Sequence, residues 1–355
     1  VEHIFESPMN LDTFTKIISM KRRIKFVSLI FFLISFLSFG QIKNDSISKP
    51  MKLIQPNYLK AGDTIAILAP AGILKNKQDI INDAKKLAES WGLHVLIGEH
   101  VFYQNNHFAG TDKERASDFQ KALDNSSVKA IWSARGGYGS VRILDKLDYS
   151  KFLQNPKWII GYSDVTAFHS HIHNLGVETM HAMMGTSLQF DEEETKESIE
   201  TFRKALFGDE LTYEIASSKF NKKGVAEGQL IGGNLSILMT MLGSETQLKT
   251  EGKILFIEEI GEYKYHIDRM LHSLKRAGYF KDLRGLVVGD MSNIKKNTTK
   301  WGTSIEQLIL DVVSAYDFPV IFNFPAGHET DNRALIFGRT IQMNAKETTS
   351  EVIFK

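Results

Sequence analysis

Cysteine is absent from the 355 residues. That excludes disulfides, a thiolate nucleophile, cysteine-ligated zinc and a lipid-modified N-terminal cysteine. Neither sign of charge is in excess, with 43 Lys and Arg against 42 Asp and Glu. Such a balance gives no footprint for nucleic acid and no preference for an acidic partner. Internal repeats and low-complexity tracts are also lacking. So is an apolar run of the ~20 residues that span a membrane comfortably. What is present is ordinary globular composition, 43% hydrophobic and 24% charged, with length enough for two domains.

The N-terminal end has its own pattern. Lys21-Arg22-Arg23 precedes a short apolar run, residues 26–39, which ends in Ser38-Phe39-Gly40 before polar sequence. This predicts an export signal over 20–40, cleaved near Gly40-Gln41, and no membrane span in the mature chain. Uncleaved, the same segment is an N-terminal anchor. Residues 1–19 are then sequence upstream of a start at Met20, and 41–52 a polar, flexible leader. The expected location is the periplasm, or the cytoplasm if the segment does not work as a signal.

From residue 53 the pattern alternates. Apolar runs at 64–69, 93–97, 130–134 and 158–160 read as buried strands. Between them, 77–91 has apolar residues at helical spacing, and Thr111 with Glu114 forms a capping box opening a helix to Leu123. Strands alternating with helices predict βαβ units and a parallel sheet, whose ligands bind at the carboxyl ends of the strands. Residues 218–228 are mostly polar and read as a crossing between an N-terminal domain, 53–217, and a C-terminal domain, 229–355. In the latter, 235–242, 267–277 and 305–316 read as helices, and 252–257 and 283–289 as strands.

Two loops sit at strand ends in the first half. One is Gly161-Tyr162-Ser163, followed by a helix from Asp164. A serine on such a strand-to-helix turn has an exposed hydroxyl beside unpaired backbone N–H groups, as an acyl-transfer nucleophile requires. It is equally suited to cap the helix. The other loop, Arg135-Gly136-Gly137-Tyr138-Gly139, can expose N–H groups to an anion or serve as a plain turn. It is not G-x-G-x-x-G, so a dinucleotide is not indicated. A serine nucleophile needs a base and the base needs a carboxylate. His328, in a Pro- and Gly-fixed loop, is the candidate base. Glu258 and Glu259 end an apolar strand on opposite faces, so one can orient the base while the other does not. The pattern leaves both open. His169 and His173 share a helix face, but without H-E-x-x-H they read as packing or solvated residues and not as metal ligands.

Five ordered strings carry a resemblance: S-A-R-G-G-Y-G-S at 133–140, I-I-G-Y-S-D-V-T at 159–166, I-G-G-N-L-S at 231–236, L-F-I-E-E-I-G-E-Y-K-Y-H-I-D-R-M-L at 255–271 and F-P-A-G-H at 324–328. Together they resemble the LD-carboxypeptidases, or muramoyltetrapeptide carboxypeptidases, whose family includes the microcin C self-immunity peptidases. The resemblance runs from Ile54 to the C-terminus. It implies an α/β fold: an N-terminal parallel-sheet domain, Rossmann- or flavodoxin-like, and a smaller C-terminal α/β domain that swivels against it. It implies a serine peptidase that cuts the L,D amide before the terminal D-alanine of a murein tetrapeptide stem. Carried over by motif, Ser163 is the nucleophile, His328 the base and Glu258 its orienting acid. The N–H groups of Asp164 and Gly137 form the oxyanion hole, and Arg135, Gly136, Tyr138, Gly232, Gly233 and Asn234 contact substrate. Neither cofactor nor metal is expected, and a homodimer is. Known members work in the cytoplasm on recycled muropeptides, whereas an exported chain would meet the wall's own stems. An amidase of peptide-nucleotides, in the manner of the microcin C peptidases, is the alternative. A wall-fragment binder without catalysis is disfavoured by the intact triad. An α/β-hydrolase is disfavoured by Val165, where its elbow has glycine.

Overall fold

The computed structural model describes residues 53–188 and 193–355, all within the compact unit Pro50–Lys355. The expected upstream segment, signal and leader lie outside the described residues.

The first sheet is built from the short apolar runs. β1 (Thr64–Leu68), β2 (His94–Ile97), β3 (Val128–Ser133), β4 (Trp158–Gly161) and β5 (Thr179–His181) are parallel, in the order β2-β1-β3-β4-β5. This is the flavodoxin-like order, whose switch point lies between β1 and β3. β1, β3 and β4 are buried nearly throughout, because helices cover both faces of a parallel sheet. α1 (Gln78–Ser90) turns Ile81, Ala84 and Ala88 inward. α2 (Asp112–Asp124) starts at the expected capping box, with both reciprocal bonds formed. α3 (Ser140–Leu144), α4 (Ser150–Gln154) and α5 (Thr166–Asn174) follow. Phe119 of α2 stacks on Phe168 of α5, with ring centroids 4.4 Å apart. Lys157 is buried. Its amine donates to the carbonyls of Ala122 and Leu123, in the last turn of α2, and of Asn125 just after it, which also accepts from Val128 N–H. Burial lowers its pKa to about 8.

After α6 (Glu193–Phe207) comes a seven-stranded mixed sheet. β6 (Thr212–Ala216) is one edge. β7 (Gly224–Asn234), β8 (Ile254–Ile260), β9 (Gly285–Ser292) and β10 (Val320–Ile321) are mutually parallel. β12 (Thr340–Ala345) and β13 (Thr349–Phe354) join β7 to β6 in antiparallel fashion. α7 (Leu235–Thr240), α8 (Lys264–Arg276) and α9 (Ile305–Val313) complete this half.

The two halves exchange chain, which the polar crossing expected at 218–228 did not foresee. β6 precedes that crossing yet belongs to the second sheet. From Gly224 the crossing is already β7, alternately exposed and half-buried as far as Gly228. Conversely, β11 (Leu335–Phe337) adds to the first sheet, antiparallel to β5. The halves also touch at α5 and β7. Asn234 N–H donates to Thr166 Oγ1 at 2.9 Å, and a Cβ on Gly233 would stand 2.3 Å from that oxygen. Gly233 also has φ +135°, where L side chains are strained. Gly233→Ala is therefore expected to destabilise the fold by about 1–3 kcal/mol, read as a lower urea midpoint at unchanged slope.

Candidate active site

The site forms where strands of both sheets end. After β4 the chain turns sharply. Gly161 has φ +154°, and a Cβ there would lie 2.8 Å from Val165 Cγ2. Ser163 itself has φ +59°, a left-handed conformation uncommon outside glycine and asparagine. The serine thus stands on a strained strand-to-helix turn, half-exposed, and starts the 3₁₀ segment Ser163–Val165 that leads into α5.

The glycine loop after β3 lies against it. A Cβ on Gly136 would sit 3.3 Å from Ser163 Cβ and 3.4 Å from its Oγ. Gly137 is exposed, with φ +100°. Buried Asp164 ties loop to turn by accepting the Ser140 N–H at 2.8 Å. Burial raises the pKa of its carboxyl, against the hydrogen bonds from Ser140 and Gly139 that lower it. Arg115, buried beneath, donates to Pro70 O and Gly139 O at 2.5 and 2.9 Å. The loop after β1 joins through Gly72 N–H to Gly136 O, 3.0 Å. These are the loops on either side of the switch point.

The imidazole comes from the other half. His328 Nδ1 lies 2.7 Å from Glu258 Oε2. A carboxylate only accepts, so Nδ1 carries the proton and Nε2 is the basic nitrogen. Glu258 is fully buried in β8. For His328, burial acts to lower the pKa. The hydrogen bond and charge of Glu258, with Glu259 and Asp290, outweigh it and raise the pKa overall. Tyr162, next to Ser163 in sequence, meets the His328 ring edge-on with centroids 5.0 Å apart, and its hydroxyl is 3.2 Å from Ser187 Oγ. Ser163 Oγ makes no hydrogen bond among the described residues, and such bonds in unliganded sites commonly tighten only on binding. A polar cavity of about 180 Å³ opens beside His328, with Tyr162, Ser187 and Asn332 in its wall.

A base–acid pair, a serine on a strained turn that follows the tyrosine packed on the base, and a glycine loop against that serine are features that suit acyl transfer. The sequence comparisons point the same way. Residues 65–182 match the LD-carboxypeptidase N-terminal domain, and 227–343 the LD-carboxypeptidase C-terminal domain. The chain belongs to the LD-carboxypeptidase family. It is 36% identical over 305 residues to the "Probable murein peptide carboxypeptidase" of Bacillus subtilis, covering 84% of this chain and 94% of that one. The crystal structure of muramoyltetrapeptide carboxypeptidase from Oxalobacter formigenes is similar, with TM-score 0.74, 28% identity and coverage of 82% and 98%. An MccF-like protein from Bacillus anthracis gives TM-score 0.75 at 25% identity, with 85% and 100% covered.

Within this LD-carboxypeptidase fold the two glutamates do separate by face. Glu259 points away from His328 and accepts from Ser236 N–H and Oγ at 2.8 and 2.6 Å, and from Asn234 Nδ2 at 3.2 Å. Asn234 in turn caps α7 through Ile237 N–H. Gly232, Gly233 and Asn234, expected at the substrate, are buried in β7 instead. A Cβ on Gly232 would fall 1.9 Å from Phe256 O, so its need for glycine comes from close strand packing. Arg135 donates to Ile73 O beside the cleft, and Tyr138 is 46% exposed at its rim. His169 is a core residue. Its Nε2 is 2.9 Å from Gly161 O, and burial lowers its pKa to about 4.

Sequence reasoning missed the residues that hold the His328 turn. Asn332 Oδ1 accepts from Gly327 N–H at 3.1 Å and faces His181 Nε2 at 3.2 Å. Asp290 touches the same turn. Asn332 lies in the E-T-D-N stretch just after the motif, between Asp331 and Arg333, so nothing in its polar surroundings singles it out. The strain at Ser163 has a measurable consequence. Ser163→Gly removes the left-handed penalty, and a gain of about 1 kcal/mol in unfolding free energy is expected. A destabilised variant would show that the turn is unstrained.

Proposed function

We propose that this chain is a serine LD-carboxypeptidase that releases the terminal D-alanine of murein tetrapeptide stems. The observation that carries the reading is the His328–Glu258 pair, set edge-on to Tyr162, the residue before Ser163. The relatives' names supply the substrate class.

In this reading Ser163 Oγ attacks the carbonyl of the L,D amide while His328 Nε2 takes its proton. Glu258 holds the tautomer and stabilises the imidazolium. The oxyanion is met by the N–H groups of Asp164 and Gly137. Collapse breaks the C–N bond, and His328 passes the proton to the departing D-alanine nitrogen. Water, deprotonated by the same imidazole, then hydrolyses the acyl-serine.

An exopeptidase must also recognise a free carboxylate. Arg135 is the candidate, because it precedes Gly136, which lies against Ser163, and forms no ion pair among the described residues. Lys77 lies near it. Burial and then the Arg135 charge lower the lysine's pKa, as two cations without a counter-anion require. The likeness to the MccF-like protein supports the second reading, an amidase of peptide-nucleotides. The same machinery would serve there, and only the leaving group would differ. Export through residues 20–40 and a homodimer belong to the proposal too. N-terminal sequencing that finds Gln41 first, and a solution mass of twice the chain, check them.

One assay tests the core. Ser163→Ala should lose about 10⁴–10⁶-fold in kcat for D-alanine release from a muramyl tetrapeptide. Arg135→Ala should instead raise KM about 10–100-fold. The acid limb of kcat/KM should lie above histidine's usual pKa, because the base must be neutral and its pKa is raised. Undiminished release by Ser163→Ala ends the proposal. Preference for a peptide-nucleotide over the tetrapeptide selects the amidase.

A further inference from the structure

The turn that carries His328 rests on one residue of the neighbouring strand. Asp290 lies in β9, beside the β8 strand of Glu258. Its N–H donates to Ala326 O at 3.0 Å. Its Oδ2 accepts from Glu329 N–H at 3.1 Å. These two bonds fall on either side of His328. Between them Gly327 has φ +146°, and a Cβ there would lie 2.7 Å from Asp290 Cβ. The backbone of the turn therefore lies directly on Asp290, with Asn332 holding the Gly327 N–H from the other side.

The surroundings of Asp290 are acidic. Glu258 faces it from β8, and Glu329 and Asp331 from the turn, together with the His328 imidazole. Burial, and then these carboxylates, push its pKa up to about 7, against the Glu329 N–H bond that lowers it. It forms no salt bridge among the described residues. A half-buried acid so placed is poor stabilisation for a fold on its own. It does suit a cation that forms transiently beside it, and the imidazolium of the catalytic cycle is such a cation.

We propose that Asp290 is a positioning residue for His328, pinning the turn on both sides of the imidazole and, when ionised, standing as a further negative charge behind it. This deepens the serine-peptidase reading and rests on His328 being the base. Asp290→Asn keeps an acceptor for the Glu329 N–H but removes the charge. Asp290→Ala removes both.

Two readouts are needed. The first is the NMR titration of the His328 imidazole, assigned as the signal missing from His328→Asn. The second is kcat and KM for D-alanine release. The charge of Asp290 raises the His328 pKa, so in Asp290→Asn its midpoint should move to lower pH, and the acid limb of kcat/KM with it, at unchanged KM. Asp290→Ala should lower kcat about 10²-fold, as a misplaced catalytic group does, with KM within about twofold. A His328 midpoint and acid limb unmoved in Asp290→Asn overturn the proposal, as does Asp290→Ala with wild-type kcat. Should Asp290→Ala not fold, the titration of Asp290→Asn decides alone. Should the wild type release no D-alanine, the proposed function fails, and the titration still tests whether Asp290 sets the state of His328.

Discussion

The 2.7 Å hydrogen bond between His328 and Glu258 constrains the rest of the site. Glu258 is wholly buried, and a buried carboxylate costs several kcal/mol unless a donor meets it. The donor arrives on a turn from much later in the chain, so the fold must deliver that turn accurately. Asp290 and Asn332 hold it by its backbone. Neutral His181 reaches across from the first sheet to the same asparagine. Burial pushes its pKa down to about 3, so it remains a neutral link under ordinary conditions.

The Ser163 side is joined to this assembly by three ties. β11 leaves the second half to pair with β5. Thr166, one turn into the structure after Ser163, bonds Asn234 at the end of β7. Tyr162 packs on the imidazole. Two of these ties, Thr166 to Asn234 and Tyr162 to His328, lie within three residues of Ser163, so a displacement of one half bears directly on its turn. The charges divide along the same line. The second half brings Glu258, Glu259 and Asp290, which favour an imidazolium. The first half brings N–H groups, Arg135 and Lys77, which favour an oxyanion and a carboxylate. In the proposed acyl transfer the intermediate is an oxyanion and the proton it releases makes His328 an imidazolium, so the two charges would each meet their complement in a different half.

The sequence showed those features that physics writes locally. β1, β3 and β4 were legible because a strand covered on both faces is a continuous apolar run. The Thr111–Glu114 box was legible because both its bonds span three residues. The opposite facing of Glu258 and Glu259 followed from the pleat alone. Residues 224–228 were misread as a crossing because G-V-A-E-G, with two glycines and its exposed positions filled by Val225 and Glu227, shows no alternation of apolar and polar residues. Gly232, Gly233 and Asn234 suggested a ligand loop, whereas the two glycines allow close packing on Phe256 and Thr166 and Asn234 hydrogen-bonds Thr166, Glu259 and the start of α7. The sign of φ at Ser163 was hidden, because it is imposed by neighbours from β3, α5 and the glycine loop. Asp290 was hidden too. Its partner Glu329 lies 39 residues on, and nothing in G-D-M-S marks it.

The most direct test of the proposed convergence of Ser163, His328 and Glu258 is chemical. A fluorophosphonate probe reacts only with a serine activated by a nearby base. Peptide mapping after labelling should find the adduct on Ser163 in the wild type, with labelling slowed by orders of magnitude in His328→Ala. Labelling of another residue, or an undiminished rate without the imidazole, would contradict the account.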